Sequence, residues 1–110
     1  VISLKAKPTF AKVVDIPVPG EDVPLKLRME FKHMSKDAFK AWSDPERIAQ
    51  RVAQGTTDAQ IVMECASAWY DVDQPFTEAA LNDFFQDYHA AAYAITTAYM
   101  TELGKVRSGN

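Results

Sequence analysis

The 110-residue sequence predicts an α+β fold: an N-terminal antiparallel β-hairpin followed by a small bundle of four to five helices. Three observations carry that expectation. Hydrophobic residues alternate with period two before Met34, they recur at three-to-four spacing after it, and the charge balance changes sign at the same place. Val1–Met34 holds six basic residues against four acidic ones, net +2, whereas 35–110 holds six against eleven, net −5, and together they make the −3 of the chain. The expected organisation is one domain, with a β-hairpin half at 1–34 and a helical half at 35–110. At this length a single core fits, and a separate catalytic and cofactor module does not.

The hairpin is read first. From Val23 to Lys32 the alternation is strict, with Val23, Leu25, Leu27, Met29 and Phe31 on one face and Pro24, Lys26, Arg28, Glu30 and Lys32 on the other. Phe10–Ile16 is rich in β-branched residues, and Pro17-Val18-Pro19-Gly20-Glu21-Asp22 between them has loop composition. An isolated hairpin is marginal, so its apolar face must lie on helices or pair with further strands, those of another copy included.

Helical signals follow. Ser35 caps a first helix that carries Asp37 in its first turn and buries Ala38, Phe39 and Trp42; Asp44-Pro45 opens a second that ends at Gly55. Thr57-x-x-Gln60 is a capping box for a third helix, with Ile61, Val62, Cys65, Ala66 and Trp69 expected on one face. Asp71–Pro75 breaks it. Thr77-Glu78 starts a fourth helix with Leu81, Phe84 and Phe85, and a final helix carries the stripe Tyr88, Ala92, Ile95, Tyr99 and Leu103 up to Gly104.

Composition excludes several classes of function. With 47% hydrophobic and 25% charged residues the chain is expected to fold rather than to be disordered. A pI near 5.3 provides no general attraction for nucleic acid or an anionic membrane. Cys65 stands alone, which rules out an intrachain disulfide and a zinc site built on several cysteines. No window has the run of about 20 apolar residues that spans a bilayer, and the first residues lack a signal-peptide core, so a cytoplasmic protein is expected.

The catalytic inventory is equally short. His33 at the end of the strand and His89 at the expected start of the last helix read as surface or helix-terminal residues, and Cys65 as a small buried hydrophobe. Asp71-x-Asp73 fails as a calcium loop, because the required glycine and the bidentate glutamate fall on Phe76 and Asn82. Gly20 and Gly55 are isolated and cradle no phosphate. No metal site, no cofactor and no enzymatic activity are therefore expected.

Three stretches assembled above resemble the tail assembly chaperones of long-tailed bacteriophages and prophages, the group that includes the lambda-like tail chaperones. The first runs from Pro8-Thr9-Phe10 through Val14 to Ile16-Pro17-Val18-Pro19-Gly20-Glu21, and the second is Met29-Glu30-Phe31-Lys32-His33 with Ser35-Lys36-Asp37. The third runs from Trp69-Tyr70-Asp71-Val72-Asp73 and Pro75-Phe76-Thr77-Glu78 to Leu81, then from Tyr88 and Ala91-Ala92 through Ile95 and Ala98-Tyr99 to Leu103 and Asn110. They occur in the order that resembles the family's. The sequence departs at His89, where similar proteins are expected to carry proline after the tyrosine, and the departure bears on the start of the last helix.

The resemblance implies a non-enzymatic role in the host bacterial cytoplasm. Such chaperones bind the tape measure protein, recruit tail tube subunits during tail morphogenesis and are absent from the finished tail. The competing reading is a structural minor tail component retained in the virion. A largely helical tape measure would expose apolar stripes that a small acidic domain could cover, so the expected contacts are the last helix, at Tyr88, Tyr93, Tyr99 and Met100, and the hairpin edge, at Lys26 and Arg28. That open edge also allows strand pairing in a homo-oligomer. The resemblance further implies a frameshifted longer form, with a slippery run encoding Gly104-Lys105, which the nucleotides over 104–110 would reveal.

Overall fold

The computed structural model describes residues 1–104; Lys105–Asn110, on which the end of the third stretch and the frameshift expectation fall, lie outside the described residues. Its elements are β1 (Thr9–Ile16), β2 (Leu25–Lys32), α1 (Lys36–Trp42), α2 (Pro45–Ala53), α3 (Asp58–Cys65), β3 (Ala66–Tyr70), α4 (Glu78–Asp87) and α5 (Ala91–Leu103). The fold is α+β, as the two hydrophobic periods imply.

β1 and β2 form an antiparallel pair from Thr9↔Lys32 to Ile16↔Leu25. The connecting loop turns where Glu21 N–H donates to the Val18 carbonyl at 3.1 Å. Gly20 has φ +80° in that turn, the conformation that a type II turn with proline before it requires and that a Cβ disfavours. On β2, Leu27, Met29 and Phe31 are buried, as the alternation demands. Leu25 is partly exposed and Val23 lies outside the strand, so the apolar face runs off the core at its N-terminal end.

The third strand is the main departure from the sequence reading. The capping box at Thr57 and Gln60 is present, but α3 stops at Cys65, and Ala66 at φ −122°, ψ 148° already has extended backbone. Ala66–Tyr70 then pairs antiparallel with β2, from Arg28↔Tyr70 to Phe31↔Ala66, with a bulge between Glu30 and Phe31. The sheet order is β1-β2-β3, so β2 is central and the hairpin gains its third strand from the half expected to be helical. Cys65 and Trp69 suit a helix and a strand equally by spacing. The unpaired edge of β2 and the β propensity of Trp69 and Tyr70 decide for the strand.

Helices α3, α4 and α5 supply Val62, Cys65, Leu81, Ile95 and Tyr99 to the same core as Val14, Ile16, Met29 and Phe31 of the sheet. Side-chain caps hold the helix starts: Ser35 accepts from Ala38 N–H, Asp44 from Arg47 N–H and Thr77 from Ala80 N–H, each at 3.1 Å. α1 and α2 bury no residue completely. They are tied on through Glu64 of α3, whose carboxylate accepts from Trp42 Nε1 at 2.9 Å and from both terminal nitrogens of Arg51.

The last helix also begins later than expected. Tyr88 caps the C-terminus of α4, His89 lies in the turn, and α5 starts at Ala91 without a side-chain cap. Its buried stripe is Ala91, Ile95 and Tyr99, at intervals of four, and neither Tyr88 nor Ala92 belongs to it. α5 lies along the sheet at β1, where Lys12 and Glu102 pair at 3.5 Å.

Candidate functional site

The six expected contact residues separate into three places. Tyr99 is wholly inside. It has no exposed area, its ring packs on Phe10, Phe31, Phe39 and Trp42 at centroid distances of 5.3 to 6.3 Å, and its hydroxyl donates to the Lys32 carbonyl at 2.8 Å. Burial pushes its phenol up to about 12. An aromatic residue at helical spacing is core here, and Tyr99 offers no surface to a partner.

Tyr93 and Met100 lie on the outside of α5, seven residues apart and hence on one face two turns apart. Tyr93 is 77% exposed and Met100 is half-buried. Thr97 stands exposed between them. This small face points away from the Ala91–Ile95–Tyr99 stripe because a helix that buries every fourth residue leaves its other sides wet.

Lys26, Arg28 and Tyr88 meet in a cleft of about 510 Å³ between the start of β2, the segment after β3 and one side of α4. The β2–β3 ladder ends at Arg28↔Tyr70, because Asp71 takes a left-handed backbone, φ +60°, and turns the chain away. Leu25–Leu27 therefore border the cleft, and among the described residues no strand lies beside them on that side. The Glu30 carbonyl accepts from Ser67 Oγ of β3, so the period-two alternation of backbone groups directs the N–H and C=O of Lys26 to the same open edge.

The walls of the cleft differ in charge. On the strand side Lys26 pairs with Asp15 at 2.7 Å, and the Arg28 guanidinium lies 5.5 Å from the centre of the Tyr70 ring. On the opposite side stand Asp71, Asp73, Asp83 and Asp87, none of which pairs with a basic side chain among the described residues. Its floor is apolar, with Leu27 and Phe84. Beside the cleft, hydrogen bonds from Thr9 and Tyr70 hold the Glu30 carboxyl below its ordinary range, and the same Glu30–Tyr70 bond raises the Tyr70 phenol.

His33, His89 and Cys65 do not converge. His33 continues the strand pairing through its N–H to the Pro8 carbonyl, and His89 is exposed between α4 and α5; neither lines the cleft. Cys65 is buried, and loss of solvation pushes its thiol up to about 12, far from the thiolate that a nucleophile or metal ligand needs. Among the described residues no group of histidine, cysteine, aspartate and glutamate could hold a metal ion, and no helix is long and apolar enough to cross a membrane.

The contributions of Tyr70, Asp71 and Asp73 to the cleft escape sequence reasoning because the third helix is expected to run through Trp69. The signal that could have exposed them is the Trp69-Tyr70 pair directly before Asp71, two strand formers followed by a residue that tolerates a left-handed turn.

The small α+β fold thus carries an exposed face on α5 and a cleft beside β2. Comparison with curated proteins and with solved structures found no match. The profile of the phage tail assembly chaperones, by contrast, matches residues 1–110, from end to end of the sequence. The chain therefore belongs to the phage tail assembly chaperone family.

Proposed function

We propose that this chaperone acts in the cytoplasm of the bacterial host by binding the tape measure protein and recruiting tail tube subunits to it, without catalysis. The observation that carries the reading is the family match over residues 1–110. Its physical counterpart is the outer face of α5. Tyr93 places a large aromatic surface in water at 77% exposure, a poor arrangement for a side chain with nothing to cover and a suitable one for grasping an apolar stripe on a helical partner.

The test is capture of tape measure segments and of tube protein by the full chain, beside a Tyr93→Ser variant. Binding by the parent chain and its loss in the variant, with the same unfolding midpoint, support the proposal. If neither tape measure nor tube protein is captured, the proposal falls. Mass spectrometry of purified virions supplies an independent check: the chain at stoichiometric level in finished particles would make it a retained tail component instead.

A further inference from the structure

Apolar and acidic groups meet on one side of α4, and both face the cleft. At about 100° per residue, Phe84 and Tyr88 lie one turn apart along one flank of the helix, and Asp83 and Asp87 lie one turn apart along the flank beside it. The Phe84 ring packs on Tyr88 at a centroid distance of 5.1 Å and on Trp69 at 6.3 Å, and all three rings line the cleft. The apolar flank therefore continues into the floor, where the sheet's own apolar face runs out at Leu25, 40% exposed.

The acidic flank is not neutralised from within. On the strand wall Lys26 is held by Asp15 and Arg28 lies over the Tyr70 ring, while Lys5 and Lys7 precede β1, whose first residue stands opposite Lys32 at the far end of β2. The complement to the cleft is thus an apolar surface with cations directly beside it. A strand cannot supply one, because it sends alternate side chains to opposite faces, whereas Phe84 and the two aspartates are neighbours. A helix does: residues at three-to-four spacing form an apolar stripe, and their neighbours in sequence fall about 100° away, along its border. At about 10–12 Å across, a helix fills roughly 400–600 Å³ per turn, so a cleft of about 510 Å³ takes the side chains of one helical face, with the helix body across its mouth.

We propose that the cleft docks a basic amphipathic helix of a partner protein. The apolar stripe of that helix covers Leu25, Leu27 and Phe84, and a bordering arginine or lysine lays its methylenes on the Phe84 ring and carries its charge to Asp83 and Asp87. Tyr93 lies outside the cleft, so the site is separate from the α5 face, and the inference does not rest on tape measure binding there.

Fluorescence anisotropy with the full chain provides the test. The probe is a labelled alanine-based helical peptide with leucines at three-to-four spacing and an arginine directly after each. The parent chain should bind it, less tightly as salt is raised. Asp83→Lys/Asp87→Lys should weaken binding by about tenfold or more and should instead bind the same peptide with glutamate in place of arginine. Both aspartates are exposed and a cation suits the last turn of α4, so the variant should keep its fold, which circular dichroism checks. A peptide of the same composition with leucine and arginine in strict alternation should bind the parent about tenfold more weakly, and Tyr93→Ser should bind the helical probe like the parent. No binding of the arginine helix, equal binding of the glutamate helix by the parent, or affinity unchanged by the aspartate reversal would each overturn the proposal.

Discussion

Tyr99 provides the sharpest test of the packing described here, because a tyrosine late in a surface helix can face a partner or the core, and the two placements predict different energies. Tyr99→Phe keeps the ring and deletes only the hydroxyl that donates to the Lys32 carbonyl at 2.8 Å. The bond is part-buried, so the cost is at least one net hydrogen bond, about 1 kcal/mol. Tyr99→Ala also removes the ring that touches Phe10, Phe31, Phe39 and Trp42, and such truncations cost about 3–5 kcal/mol. Against a stability of about 5–15 kcal/mol for a domain, that loss threatens the fold itself. Urea unfolding followed by tryptophan fluorescence measures both, since Trp42 packs edge-on against the Tyr99 ring. The expected order is parent, Tyr99→Phe, Tyr99→Ala, with midpoints well separated and slopes unchanged. A Tyr99→Ala variant within about 0.5 kcal/mol of the parent, the range of an ordinary surface substitution, would refute the buried placement.

Three further outcomes are expected. Burial raises the Glu64 carboxyl, but hydrogen bonds from Arg51 and Trp42 outweigh it and leave the group below its ordinary value of 4.5. The stability it adds is present above that value and is lost as pH falls through the lower folded one. Acid titration of unfolding should therefore show a smaller drop for Glu64→Gln than for the parent, and at neutral pH the variant should lose about 1 kcal/mol or less, as the pair is partly solvated. Because burial raises the Cys65 thiol to about 12, its contribution is intact below the ordinary thiol range and declines as pH rises toward that value; alkylation of the native chain should be negligible until urea unfolds it. At Asp71, φ +60° penalises a β-branched side chain, so Asp71→Val should cost about 1–2 kcal/mol in thermal unfolding, whereas Asp71→Gly should be neutral or stabilising.

Helix starts were legible because their chemistry is local. Ser35, Asp44, Thr57 and Thr77 each accept a hydrogen bond from a backbone N–H three residues later, an arrangement that a few adjacent residues determine. The hairpin was legible for a similar reason, since strict alternation from Leu25 to Lys32 leaves only one way to bury a face. The switch at Cys65–Ala66 was not. Continuing the helix and forming β3 satisfy the same local pattern, and the choice rests on β2, about forty residues earlier, having an edge to pair.

The candidate site follows the same division. Sequence alone determined which residues were chemically available: aromatics and charges in plenty, one cysteine, two histidines, and a basic first part facing an acidic second part. Tertiary structure decided which of them meet. It placed Tyr99 in the core while leaving Tyr93, six residues earlier on the same helix, in water. It also ended β3 at Tyr70, so that Asp71, Asp73, Asp83 and Asp87 gather opposite an open strand edge. The physical reason is range: caps and alternation act between neighbours in sequence, whereas burial and edge pairing depend on what the rest of the chain brings alongside.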